Sequence, residues 1–155
     1  MSENRIMFAE IAIANAVKKL LREDANRLLE ALDFRIPYFE FGDYTGIDAV
    51  NPDITISSCE RSEKERIVLV NAYAIEITLP VADCGHDGEL FAYAYGAAIN
   101  GAARRNGTLG GIVDRIAVTE CRYAPPKRKS CGDCWIVAIK LRVTVEGHIY
   151  DGKWT

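Results

Sequence analysis

Between Arg5 and Leu32 the apolar residues Ile6, Ala9, Ile13, Val17, Leu20, Leu21, Ala25, Leu28, Leu29 and Leu32 recur at steps of three and four. Lys18, Lys19, Arg22 and Glu23 occupy the other side. This spacing predicts an amphipathic helix over residues 5–32. Asp33 and the approach to Pro37 end it, since the residue before a proline is pushed out of helical geometry. The tripeptide at 24–26, Asp-Ala-Asn, marks a place for the helix to bend or split. The following "IPYFEFGDYTGIDAVNP" predicts a short strand and a turn-rich connection punctuated by Gly42, Gly46 and Asn51-Pro52.

The pattern then changes to period two. "DITISS" (53–58) alternates as a short strand, and "IVLVNAYAIEITLP" places Ile67, Leu69, Tyr73, Ile75, Ile77 and Leu79 on one parity. Asn71 breaks that apolar series and is expected at a bulge or an exposed end. At about 3.3 Å per residue, residues 67–79 would span ~43 Å, more than most strands cover. A long β-hairpin arm projecting beyond the core is therefore expected, with the charged tract "CERSEKER" (59–66) at its tip. Glu63, Lys64 and Arg66 in that tract are either solvated or candidate partner contacts.

Residues 87–105 predict the second helix, with Asp87 as N-cap and Arg104 and Arg105 in the last turn, complementing the helix dipole. Leu90, Phe91, Ala94, Tyr95, Ala98, Ile99 and Ala102 form its expected buried stripe. Eight of the twelve residues from Ala92 to Ala103 are Ala or Gly, so this helix can lie unusually close to a sheet. The glycines that follow, in "RNGTLGGIVD", raise the question of a phosphate-binding loop. Such a loop follows a strand and opens a helix, whereas here helix precedes glycines and glycines precede strand. No Gly-Lys-Ser/Thr is present either. The segment reads as a chain reversal, with Gly107 as a left-handed C-cap and Gly110-Gly111 as the turn into "IVDRIAVTECRY".

The last strand has the clearest alternation. Trp135, Val137, Ile139, Leu141, Val143 and Val145 point one way; Ile136, Ala138, Lys140, Arg142, Thr144 and Glu146 point the other. One face is core and the other meets water or a partner. The order of elements predicts one α+β domain over 1–155, with a four- to five-stranded, mostly antiparallel sheet and two main helices on one face. Its parts are an N-terminal helix (1–35), the sheet and second helix (53–147) and a tail (148–155).

Composition narrows the function. With 155 residues, 49% hydrophobic and 26% charged, the chain reads as a soluble globular protein of one domain. A net charge of −3 argues against a dedicated nucleic-acid binder. No signal-like leader and no apolar run near the ~18 residues of a membrane span is evident, which predicts a cytoplasmic protein. In that compartment the five cysteines would be thiols or ligands. Cys131-Gly-Asp-Cys134 could supply half of a tetrahedral zinc site and Cys84-Gly-His86 the other half; loop thiols and a redox pair are the alternatives. The strands before and after the second helix would run the same way, bringing Cys84 and Cys131 to one end of the sheet. His86 and His148 lack a nucleophile-elbow context and no paired acid–base pattern stands out, so no enzyme is expected. Lys127, Arg128 and Lys129 form a basic hairpin tip, either solvated or able to touch nucleic acid or an acidic protein surface. The tail residues Tyr150 and Trp154 would dock onto their own domain or onto a neighbouring subunit.

Taken together, "DITISS" through "YAIEITLPV", "ELFAYAYGAAINGAARRN", "TLGGIVDRI" and "WIVAIKLRVTVEG" resemble the tail terminator and tail-completion proteins of long-tailed bacteriophages. The resemblance covers most of residues 53–147; its most recognisable pieces are Thr108-Leu-Gly-Gly111 and Val143-Thr-Val-Glu146, and the cysteines depart from the pattern. It implies a non-enzymatic α+β subunit that forms a ring, commonly a hexamer, capping the tail tube and facing the head connector. The partners implied are other copies of the chain, tail tube protein and connector proteins, with no cofactor, no membrane and no sequence-specific nucleic acid. The implied location is the virion tail, after assembly in the host bacterial cytoplasm. On this reading Lys140 and Arg142 on the wet sheet face would lie toward the lumen or a tube contact. The tracts carrying Glu63, Lys64 and Arg66, and Lys127, Arg128 and Lys129, together with Tyr150 and Trp154, would be the arms. A small metal- or ligand-binding domain using Cys84, His86, Cys131 and Cys134 is the competing expectation.

Overall fold

The computed structural model describes residues 9–41, 49–64, 68–82, 87–126 and 134–148. The first helical rod runs in three pieces: α1 (Ala9–Leu20), a π-helical turn (Leu21–Ala25) and α2 (Asn26–Glu30). Its buried stripe follows the expected spacing through Ala9, Ile13, Val17, Leu20, Leu21, Ala25 and Leu29. The expected irregularity at 24–26 is the end of the π turn. A π turn widens the hydrogen-bond spacing and frees a carbonyl. Here Asn26 Nδ2 donates to Arg22 O at 2.8 Å, satisfying it. The same amide exchanges two further bonds with Phe39, donating to its carbonyl at 2.9 Å and accepting from its N–H at 2.7 Å. Asn26 thus fastens β1 (Tyr38–Phe39) to the helix, and β1 pairs in parallel with β2 (Ala49–Val50).

The main sheet contains β3 (Asp53–Lys64), β4 (Val68–Ala82), β5 (Arg115–Ala124) and β6 (Cys134–His148), in the order β3-β4-β6-β5, antiparallel throughout. β4 and β5 therefore run the same way on either side of β6, as expected if the intervening helix, α3 (Gly88–Arg105), is a crossover. The fold is α+β with its helices packed on one face of the sheet. The odd-numbered residues of β4 and β6 make the floor of the core, Tyr73, Ile75, Ile77 and Leu79 against Ile139, Leu141, Val143 and Val145, all essentially inaccessible. Each such side chain contributes roughly 1.5–3 kcal/mol by leaving water.

Several expectations are corrected. β3 does not stop at Ser58 but continues through Cys59–Lys64, so most of the charged tract is strand rather than tip. β6 accompanies β4 over its entire length, from Val68↔His148 to Ala82↔Cys134. The long strand is thus the centre of a three-stranded ladder instead of half of a free two-stranded arm. Arg66 lies outside the described residues. Asn71 is neither bulged nor exposed: the β4–β6 register passes through it unbroken, and its side chain is buried. It donates to Tyr73 Oη at 3.1 Å and accepts from Arg61 Nε at 3.1 Å, which makes its burial tolerable.

The buried stripe of α3 is broader than the expected one, which holds at Tyr95, Ala98, Ile99 and Ala102, with Phe91 and Ala94 packed against the core. Leu90 is exposed, whereas Ala92, Gly96 and Ala103 are buried beside Tyr95, Ala98, Ile99 and Ala102. This helix has neighbours on two sides, the sheet and the first helical rod. Its small residues serve both approaches: Gly96 lies under Tyr123, and a β-carbon on Gly101 would stand 3.0 Å from Leu28 Cδ1. Asp87 occupies the N-cap position without a side-chain bond. At the other end Gly107 is not the left-handed residue; Leu109, Gly110 and Gly111 are, with φ of 48°, 69° and 93°. Asn106 caps the helix instead, its Nδ2 donating to Ala102 O at 2.9 Å.

Candidate functional site

The face of the sheet opposite the helices carries a ladder of charge. Period-two alternation puts Glu76 of β4 beside Lys140 of β6, and Lys140 in turn beside Glu120 of β5. Lys140 Nζ stands 3.3 Å from Glu120 Oε2. Arg142 pairs with Ala74, and its guanidinium reaches past β4 to Glu60 Oε2 on β3 at 3.4 Å. The short side chains of Ala72 and Ala74, opposite Glu60 and Ser58, leave room for that diagonal. Lys64 and Glu146 make a second one at 3.6 Å. All these groups are substantially exposed, so each pair is worth little to stability, at most about 1 kcal/mol. The strand register is what sets where the charges stand. Lys140, Arg142 and Lys64 thus come together on one face as a patterned surface. Glu63 shares its parity with Cys59 and Arg61 and falls on the other side of β3. Lys127, Arg128, Lys129, Tyr150 and Trp154 lie outside the described residues.

The same register bears on the cysteines. Cys134 opens β6 opposite Ala82, the last residue of β4, so the tracts holding Cys84-Gly-His86 and Cys131-Gly-Asp leave the sheet from adjacent strand ends. Cys84, His86 and Cys131 themselves lie outside the described residues. Among the described residues no group of three or more His, Cys, Asp or Glu is placed to hold a metal. Cys59 and Cys121 stand apart, Cys121 donating its thiol to Tyr123 Oη at 3.3 Å.

Beside the glycine-marked reversal runs an open groove of about 480 Å³, walled by α1 and the π turn on one side and by Asn106, Leu109 and Gly110 on the other. Its rim mixes Lys19 with Glu23 and Asp24. Several of the loop amides beside it are engaged within the loop. Leu109 N–H donates to Asn106 O, and those of Gly111 and Val113 both donate to Thr108 O. A phosphate cradle needs several convergent free N–H groups, and here internal turns take up those of Leu109, Gly111, Ile112 and Val113.

No protein-family model matches this chain, and no curated protein matches it either. No helix among the described residues is long and apolar enough to cross a membrane.

Sequence reading missed two residues of structural consequence. Asn71 was legible as a polar residue on an apolar parity, but that signal fits burial with partners as well as exposure. Asn26 was legible as part of a helix irregularity, but its bonds to Phe39 gave no signal, because that partner lies thirteen positions away in an irregular segment.

Proposed function

We propose that this chain is a structural subunit of a long-tailed phage tail, a ring-forming terminator or completion protein that caps the tube and joins it to the head connector. The observation that carries the reading is the uncovered sheet face, where strand register sets Lys140 and Arg142 beside Glu120 and Glu60. A capping subunit needs a rigid, patterned surface to meet a repeating one, and an exposed charge ladder on a helix-backed sheet meets that need. The resemblance through residues 53–147 supports the same role. Its setting would be the virion tail, with other copies of the chain, in a ring of about six, and tail tube protein as partners. The test is to add the purified chain to assembling tube subunits and image the products. Shortened tubes bearing a ring at one end are expected; tubes that elongate unchanged overturn the proposal. The alternative is a small metal-binding domain using Cys84, His86, Cys131 and Cys134, which the Ala82–Cys134 register favours by joining both tracts to one end of the sheet.

A further inference from the structure

Both edges of the sheet, β3 and β5, have no strand beyond them among the described residues. Their directions are opposed, so β5 of one copy can accept β3 of another and continue the antiparallel order. Each edge strand also interrupts its own alternation once. In β3 the register slips between Ile56 and Ser58, and in β5 between Val118 and Glu120. Before and after these slips the exposed face is carried by Asp53 and Thr55, then Ser58 and Glu60, in β3. In β5 it is carried by Arg115 and Ala117, then Glu120 and Arg122.

Two strands that each reverse their facing can pair with faces matched at both ends only if the reversals coincide. That condition leaves two registers, two residues apart, and cross-strand charge decides between them. Arg122 falls opposite Asp53, Glu120 opposite Thr55, Ala117 opposite Ser58 and Arg115 opposite Glu60. On the helix side Cys121 meets Ile54 and Ile116 meets Cys59. This register sets both arginines of β5 opposite carboxylates, whereas the other sets Arg122 opposite Thr55 and Arg115 opposite Ser62. Arg115, Arg122 and Asp53 have no side-chain partner within their own chain among the described residues. A groove of about 220 Å³ between Arg104 and Val118 lies open along β5 to receive the helix-side residues of the incoming strand. Edge charges and bulges ordinarily discourage pairing. Here each irregularity on one edge has its counterpart on the other.

We infer that the chain associates with copies of itself through a β5-to-β3 edge contact in this register, a head-to-tail interface that closes into a ring or runs on as a filament. The inference deepens the ring reading and rests on it for its setting. Its test is a charge exchange followed by sedimentation. Arg122→Asp alone and Asp53→Arg alone each weaken self-association, by roughly tenfold or more in dissociation constant, because like charges then face each other. The double variant recovers it, and so does a mixture of the two single variants, since every contact in an alternating assembly is again Asp against Arg. Ala117→Cys subunits mixed with Ser58→Cys subunits, both carrying Cys59→Ser, cross-link on oxidation; this readout is independent of charge. Assemblies indifferent to the exchange and without cross-links overturn the edge contact while leaving a ring by another surface standing. A wild-type chain that stays monomeric at every concentration and with tube subunits overturns both.

Discussion

The ring of Tyr123 lies against the backbone of Gly96, in the space a β-carbon would occupy. A carbon added there would stand 2.7 Å from Cζ and 2.8 Å from Cε1 of the ring. The contact joins β5 to α3 and extends outward, because Tyr123 also meets Tyr93 edge to face at 4.9 Å, and Tyr93 meets Trp135 at 6.1 Å. Gly96→Ala would normally stabilise a helix by about 1 kcal/mol. Here overpacking outweighs that gain, and a net loss of about 1–2 kcal/mol is expected from urea denaturation. Tyr123→Leu in the same background should return part of the loss. A neutral or stabilising Gly96→Ala would contradict the close approach.

What could be read from the sequence divides along physical lines. The inward faces of β4 and β6 were legible because residues on one parity share one environment over many turns of the pattern. The full width of the buried face of α3 was not, because a helix packed on two sides has no single polar stripe to bound it; Gly96 and Ala92 look alike until Tyr123 is placed. The length of β4 suggested an arm because ~43 Å exceeds most strands, and nothing in its own alternation shows that β6 runs beside it throughout. Lys140 and Arg142 were readable as surface, but their partners Glu120 and Glu60 sit on two different strands. That pairing follows from strand order, which periodicity does not encode.

Asn26 makes three hydrogen bonds that bind the π turn to β1. Asn26→Ala leaves the Phe39 N–H and the carbonyls of Arg22 and Phe39 without it, and a loss of roughly 2–3 kcal/mol is expected. Asn26→Asp should be no better, since a carboxylate cannot donate to either carbonyl. Equal stability of the Asp variant and wild type in denaturant titration would show that the donor side of the amide is idle.

Alkaline pH should loosen the fold. Burial, foremost, pushes the Tyr73 phenol up to about 12, with Asn71 opposing and Cys59 and Glu10 adding. Burial likewise raises Tyr95 and Tyr123, the latter helped by Cys121. A phenol whose folded value exceeds its unfolded value of about 10 keeps its proton longer in the native state. Its stabilising contribution is complete below pH ~10 and declines as pH climbs toward the folded value. The urea midpoint should therefore fall above about pH 10, with the buried phenols ionising as the protein unfolds. Tyr95 also donates to Pro37 O at 2.7 Å, so Tyr95→Phe should lower stability at neutral pH yet flatten the alkaline decline. A midpoint unchanged from pH 8 to well above 11 would contradict burial of these hydroxyls.

The cysteine question has a direct measurement. If the tracts leaving β4 and β6 form a zinc site, protein prepared without chelator should carry stoichiometric zinc, and Cys131→Ser should lose it together with thermal stability. Metal-free protein with the same melting temperature before and after chelator would retire the metal-binding alternative.

The most direct test of the uncovered face is to reverse its cations. Lys140→Glu with Arg142→Glu turns two attractive pairs, with Glu120 and Glu60, into repulsive ones, and Glu76 adds to the repulsion at position 140. Because these side chains are about half exposed, solvent screens the change, and the folded state should lose only about 1–2 kcal/mol. Circular dichroism and the cooperative unfolding transition should therefore be retained. If this face meets the tube, the same variant should fail to cap growing tubes at concentrations where wild type does, and raising salt should weaken the wild-type contact in the same direction. Capping that is unaffected in a folded double variant would move the tube contact off this face, leaving the sheet edges and the helix layer as the surfaces that remain.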